Sequence, residues 1–188
     1  MGTLEEPIDA STSSWSAEVA LTALYAAHWR SLVRLAWLLV RDQQAAEDVA
    51  QEAFVATYRR WGSVRSPEAA LAYLRTCVVN GSRSALRHRG VRERYAAVEA
   101  GDGAPRTAMS AETSALRGWD RGEVMALIGS LPVRQREVLV LRYYLDLAES
   151  DIAATLGITR GSVKTHASRG ISALRAQLGQ QEDQEAGA

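Results

Sequence analysis

The sequence predicts an all-α protein, two small helical units joined by a flexible linker. Three observations predict it. Apolar residues recur at helical spacing in two blocks, residues 18–88 and residues 119–178. No stretch keeps the strict apolar–polar alternation of a half-buried strand. Between the blocks, residues 89–118 pass into glycine, proline and small polar residues, as in "EAGDGAPRTAMSAETS", with no sustained period.

The elements follow in chain order. Residues 1–17 are small and polar and are expected to be loose. Leu32, Leu35, Ala36 and Leu39 then mark one helix face. Ala46, Val49, Ala50, Ala53, Tyr58 and Trp61 mark the next. Gly62, Ser63 and Pro67 break that run into a loop. A third helix starts near Glu68, with Leu71, Leu74, Val78 and Leu86 on its apolar side. Gly81 inside it should cost up to about 1 kcal/mol relative to alanine and loosen the helix there. In the second block Pro132 marks a turn or a helix start. The polar residues 179–188 are expected to fray as a flexible tail.

Bulk composition excludes several classes. Hydrophobic residues make up 47% and charged residues 23% of the 188, the balance of an ordinary globular protein. Cys77 is the one cysteine, so no internal disulfide framework exists and a reducing cytoplasm is the expectation. It reads better as a small buried hydrophobe than as a redox sensor. The apolar run over residues 32–40 contains Arg34 and is too short for a bilayer, so no membrane insertion is expected. Glu5, Glu6 and Asp9 stand where a secretory signal would be basic. His28, His88 and His166 are scattered, with no clustered cysteines to complete a metal site. No nucleophile–base cluster is visible, so neither catalytic residues nor cofactors are expected.

The stretch "ESDIAATLGITRGSVKTHASRGISALRAQL" reads as two helices around a tight turn. Ile152, Ala153 and Leu156 form the apolar side of the first. Gly157 suits a left-handed C-cap, and Thr159 suits an N-cap for the second helix. There Val163, Ala167, Ile171, Leu174 and Leu178 form one stripe. Thr165, Ser168 and Arg169 point away from it, with Lys164 and His166 on the flanks. Hydroxyls and cations on an exposed face near a helix N-terminus suit phosphates and base edges in a major groove. A merely solvated face would need neither the glycine turn nor the cap. The phrase "VKTH" also resembles the effector domains of LuxR-type regulators. That alternative would need a receiver or ligand domain on a parallel sheet upstream, and no strand period supports one.

In the first block, "QAAEDVAQEAFVATYRRW" puts Asp48, Gln51, Glu52 and Val55 on one side of a helix and Val49, Ala50, Ala53 and Phe54 on the other. An acidic face with an apolar neighbour suits a basic partner helix. "AEDVAQEAFVATYRRW" followed by "AYLRTCVVNGSRSALRHR" resembles domain 2 of the extracytoplasmic-function sigma factors of bacterial RNA polymerase. "LPVRQREVLVLRYYLDLAESDIAATLGITRGSVKTHASRGISALR" resembles their domain 4. "AYLRTCVVN" and "RRW" are most similar to the actinobacterial SigE-like subgroup.

The resemblance implies roles and partners. Asp48, Gln51, Glu52 and Val55 would dock on the β′ clamp helices of core RNA polymerase, with the β subunit as a further partner. Ser63, Val64 and Arg65, in the loop over residues 63–70, would handle the melted −10 element of promoter DNA with Asn80. Arg75, Arg83, Arg87 and Arg89 would track the phosphates nearby. Arg160, Lys164, Thr165, Ser168 and Arg169 would read the −35 element. An anti-sigma factor is implied as a further partner. Trp61 and Tyr73 suit base stacking or core packing, and Trp37 suits the core. One departure is Ala148, where the family pattern has a serine or threonine cap, leaving Glu149 and Ser150 to compensate.

The formal net charge is zero and the pI about 6.8. A protein that finds DNA alone gains affinity from basic surface through counterion release. A sigma factor would instead rely on the polymerase, its acidic docking face offsetting its basic DNA faces. The linker is expected to let those DNA faces range widely in separation.

Overall fold

The computed structural model describes residues 10–64, 66–100 and 119–186. Among these the secondary structure is entirely helical. In order come α1 (Ala10–Val40), α2 (Gln43–Arg59), a 3-10 turn (Trp61–Ser63) and α3 (Pro67–Ala100). There follow α4 (Trp119–Ser130), α5 (Val133–Tyr143), α6 (Glu149–Leu156) and α7 (Arg160–Ala186).

Helices α1, α2 and α3 each pack on the other two. Leu32, Leu35, Ala36 and Leu39 are buried, as their spacing predicts. α1 stops where Arg41 takes the left-handed conformation, φ 60°. Asp42 follows in extended conformation and accepts the Ala45 N–H at 2.8 Å, starting α2. Ser66 accepts the Ala69 N–H at 3.2 Å and starts α3, with Pro67 as its first residue.

Gly81 does not loosen α3, which continues through it. A Cβ there would lie 3.0 Å from Val49 Cγ1 on α2, so the glycine allows the two helices to approach closely. Tyr58, placed by its spacing on the apolar face, is 47% exposed. Trp37 is only half-buried, with the Arg41 guanidinium 4.7 Å from its ring centroid.

Helices also extend beyond the sequence expectations. Residues 10–17 belong to α1 rather than to a loose terminus. Residues 89–100 continue α3 rather than beginning a linker, and residues 179–186 continue α7. Both stretches are rich in good helix formers, Arg, Glu and Ala in "RGVRERYAAVEA" and Gln, Glu and Ala in "GQQEDQEA"; Val91 and Tyr95 of the first also stand at helical spacing, although both are exposed. Residues 101–118, the heart of the expected linker, lie outside the described residues, as do 1–9 and 187–188.

The second unit packs α5 and α6 against α7. Val138, Leu141, Ile152, Leu156, Val163 and Ala167 form its buried centre. In this structure the two units lie packed together. Their buried apolar residues join in one cluster, with α1 touching α4 and α5, and α3 touching α6. Polar contacts add to this interface. Arg83 of α3 pairs with Glu137 of α5, and the Tyr144 hydroxyl donates to the Ser31 carbonyl at 3.3 Å. The linker is thus not the only connection between the units, because each buries apolar surface on the other.

Candidate nucleic-acid and partner-docking surfaces

On α2, Asp48, Gln51, Glu52 and Val55 are exposed and fall within about 100° of helical arc. The opposite side, Ala46, Val49, Ala50, Ala53 and Phe54, is buried. The exposed set lines a shallow groove with Ala56 and Arg59. Tyr58 and Val55 add exposed apolar surface to it, at 47% and 43%. The face is therefore acidic and apolar together, a chemistry suited to a basic, partly apolar helix.

α3 carries most of the residues assigned to the −10 element. Asn80, Arg83 and Arg87 fall within about 60° of arc, and Arg75 lies on a neighbouring side. Asn80 and Arg87 are exposed, while Arg75 and Arg83 are half-buried. Arg83 donates through Nη1 to Asn80 Oδ1 at 3.1 Å. Its Nε and Nη2 donate to the two Glu137 oxygens at 2.6 and 2.8 Å. Burial lowers the pKa of Arg75, and the charge of Asp151 on α6 acts the other way. Ser63 is exposed, and its hydroxyl donates to the Arg60 carbonyl at 2.9 Å. Val64 packs on the core. Arg65 lies outside the described residues.

Arg89 is turned inward, donating to the Val40 carbonyl at 2.7 Å. It thus satisfies an orphan acceptor at the C-terminus of α1. Trp61 packs against the core. Tyr73 is half-buried beneath the Arg60 guanidinium, 5.5 Å from its ring centroid. Cys77 is also half-buried. Burial raises its thiol pKa, against a Tyr73 hydrogen bond and the Arg60 charge, so the unreactive thiol form is favoured.

α6 and α7 form the expected helix-turn-helix. Gly157 ends α6 in the left-handed region at φ 64° and ψ 40°. Thr159 caps α7, its Oγ1 accepting the Ser162 N–H at 3.1 Å. Arg160, Lys164, Thr165, Ser168 and Arg169 are all exposed, while Val163 and Ala167 are buried beneath. Ala148 caps α6 without a side-chain bond. Glu149 does not replace it as a cap. It joins Arg142 at 3.4 Å and Lys164 at 3.9 Å. Its negative charge in the first turn still suits the helix dipole.

Sequence reasoning missed Glu137 and Arg136. Glu137 is 1% exposed, held by Arg83 and by Arg134, whose Nη1 donates at 3.1 Å. Arg136 donates to the Leu39 carbonyl at 2.6 Å, and to those of Gly129 and Leu131 at 2.6 and 3.1 Å. Burial lowers its pKa, and the nearby Arg41 and Arg89 charges lower it further, against Glu137. A signal was present: Glu137 and Leu141 share a helix face at i and i+4, so a carboxylate sits on an apolar stripe. Among the described residues no cluster of His, Cys, Asp and Glu is arranged to hold a metal. No described helix is long and apolar enough to cross a membrane.

An exposed acidic face, a helix rich in arginine and a helix-turn-helix, on two helical units, are the features of a DNA-binding protein of the helix-turn-helix class. The family profile for Sigma-70 region 2 matches residues 24–92, and that for Sigma-70, region 4 matches residues 121–174. The chain belongs to the sigma-70 family, as an extracytoplasmic-function sigma factor, an alternative sigma factor that directs transcription initiation. The matches at both ends leave no support for the LuxR-like reading. Among similar proteins are the RNA polymerase sigma-E factor of Streptomyces avermitilis, 33% identical over 79% of this chain and 79% of that protein, and the ECF RNA polymerase sigma factor SigM of Mycobacterium tuberculosis, 31% identical over 85% of this chain and 78% of that one. The fold is similar to that of the sigma factor RpoE in a co-crystal with the anti-sigma factor NepR from Bartonella quintana. The TM-score is 0.67 at 24% identity, covering 84% of this chain and 95% of that one. It is also similar to CnrH in complex with the cytosolic domain of CnrY, with a TM-score of 0.64 at 22% identity, covering 90% and 94%.

Proposed function

We propose that this sigma factor divides its work among the three faces described. The α2 face, with Asp48, Gln51, Glu52 and Val55, docks on the β′ clamp helices of core RNA polymerase. α3 engages the melted −10 element, with Asn80 contacting an extruded base and Arg75, Arg83 and Arg87 neutralising phosphates. The loop residues Ser63, Val64 and Arg65 flank that contact. Arg160, Lys164, Thr165, Ser168 and Arg169 of α7 read the −35 element. The β subunit contributes further contacts. The protein catalyses nothing itself and works in the cytoplasm. An anti-sigma factor is a further partner, a reading supported by the NepR and CnrY complexes of proteins with this fold.

The observation that carries this reading is the exposure of the acidic α2 set and of the polar α7 set, each backed by a buried apolar face. Both sets lie outside the buried core. Gln51→Ala combined with Glu52→Arg is therefore expected to keep the helical content of wild type and to lose core binding. Promoter binding in the presence of core should go with it, although no DNA-contacting residue has changed. Unchanged affinity for purified core in a fluorescence titration would refute the docking assignment.

A further inference from the structure

We propose that the free chain holds itself closed through an ion-pair latch between Arg83 and Glu137, which masks part of the α3 surface assigned to promoter DNA. The same guanidinium is then either locked to α5 or available to phosphate. The masking half of this inference rests on the assignment of α3 to the −10 element.

The Glu137 side chain is 2% exposed, and that of Arg83 is 18% exposed. Arg83 grips both carboxylate oxygens, at 2.6 and 2.8 Å, the two-pronged geometry that makes an arginine pair directional. A buried carboxylate needs such partners, because its hydration has been removed. Arg134 supplies one donor from the same helix, so Arg83 is the member of the pair that comes from the other unit. Its Nη1 also holds Asn80 Oδ1, so the latch occupies two of the residues assigned to DNA.

Neighbouring contacts act in the same direction. Arg136 ties α5 to the end of α1 through the Leu39 carbonyl. Arg75 lies in the field of Asp151 on α6. The Arg83–Glu137 pair lies within an interface that is otherwise apolar, and it is the part of that interface that can exchange partners. On opening, its charged ends regain water, or phosphate in the case of Arg83, whereas removing one partner from the closed form leaves the other buried and unpaired.

The masking is selective. Arg169 and Lys164 on α7 and the acidic α2 set remain exposed in the closed form. Docking of α2 on the polymerase can therefore precede opening, and opening then frees α3 for the melted strand.

The test uses the free full-length chain and then the holoenzyme. Glu137→Gln keeps the shape of the side chain and removes its charge. By small-angle scattering it should enlarge the radius of gyration relative to wild type, and α3 and α5 amides near the interface should exchange faster. Arg83→Gln should do the same, and the double variant should add little, because both singles break one interaction. Circular dichroism checks that helical content is retained. If either folded single variant stays as compact and as protected as wild type, the latch is overturned.

With core polymerase, on promoters mapped from a genomic fragment library, Glu137→Gln should reach wild-type transcription at saturating sigma. It should need several-fold less protein to do so. In that open background, Arg83→Gln should reduce promoter melting. Expansion by Glu137→Gln without any effect of Arg83→Gln on melting would overturn the masking claim by removing the α3 assignment, while leaving closure itself demonstrated.

Discussion

A side chain at Gly170 would be crowded by Leu139. A Cβ there would lie 2.9 Å from Leu139 Cδ1, 3.2 Å from its Cγ and 3.4 Å from Gln135 Cβ, so the backbone of α7 passes directly over α5. Leu139 is 4% exposed and has little room to move aside. Overpacking of this kind costs about 1–3 kcal/mol, whereas alanine regains up to ~1 kcal/mol of helix propensity over glycine. Gly170→Ala should therefore lose roughly 1 kcal/mol net and lower the urea midpoint. Gly90→Ala is the control, since nothing lies within 4 Å of its Cβ position. It should raise stability by up to about 1 kcal/mol and the midpoint with it. A midpoint for Gly170→Ala equal to or above that of wild type would contradict the close crossing. Gly81 presents the same problem more mildly, with Val49 at 3.0 Å.

At the scale of the element, α7 does two jobs along one helix. Its buried side, Val163 and Ala167, seats it in the second unit, and its cap at Thr159 orders the first turn. That order holds Lys164, Thr165, Ser168 and Arg169 on a fixed exposed surface. Thr165 already donates its hydroxyl to the Gly161 carbonyl at 3.0 Å, leaving its oxygen free to accept from a base edge. Arg169 is exposed and has no such engagement within the described residues, so its donors are open to a base or a phosphate. Arg169→Ala should weaken −35 recognition by about 1–3 kcal/mol. The readout is transcription from a −35-dependent promoter, measured beside core affinity. Normal transcription would remove Arg169 from the reading set. Loss of core affinity as well would point to damage to the fold.

At the scale of the whole molecule, net charge and closure act together. With 22 Lys and Arg against 22 Asp and Glu, the chain has no excess positive charge to draw DNA. In the closed form, Arg83 is also neutralised by a carboxylate of its own chain. The free protein should therefore bind a promoter fragment weakly at physiological salt, and core polymerase should raise the affinity by about two to four orders of magnitude by making the second contact intramolecular. Gel shifts with and without core read this directly. Tight, sequence-specific binding by the free chain would defeat the argument.

Much of the molecule was legible in the sequence because it depends on local chemistry. Helical period gave the buried face of α1, and Gly157 and Thr159 gave the turn and cap of the helix-turn-helix. The exposed α2 and α7 sets followed from the same 100° rotation. Helices that bury little were harder to see: residues 89–100 continue α3 with Val91 and Tyr95 exposed, and the glycine- and proline-rich composition that follows masked them as a linker. The relation between the two units lay further out of reach. Arg83 and Glu137 are 54 residues apart in the chain, and although Glu137 stands on an apolar stripe, nothing local names its partner. Only packing α3 against α6 and α1 against α5 brings them together and removes their water. The sequence by itself therefore determined the all-α class, the two units and the faces each helix presents. The tertiary structure decided which charges are buried and which DNA-facing residues the closed chain covers, because burial is a property of the assembled surfaces and not of any one helix.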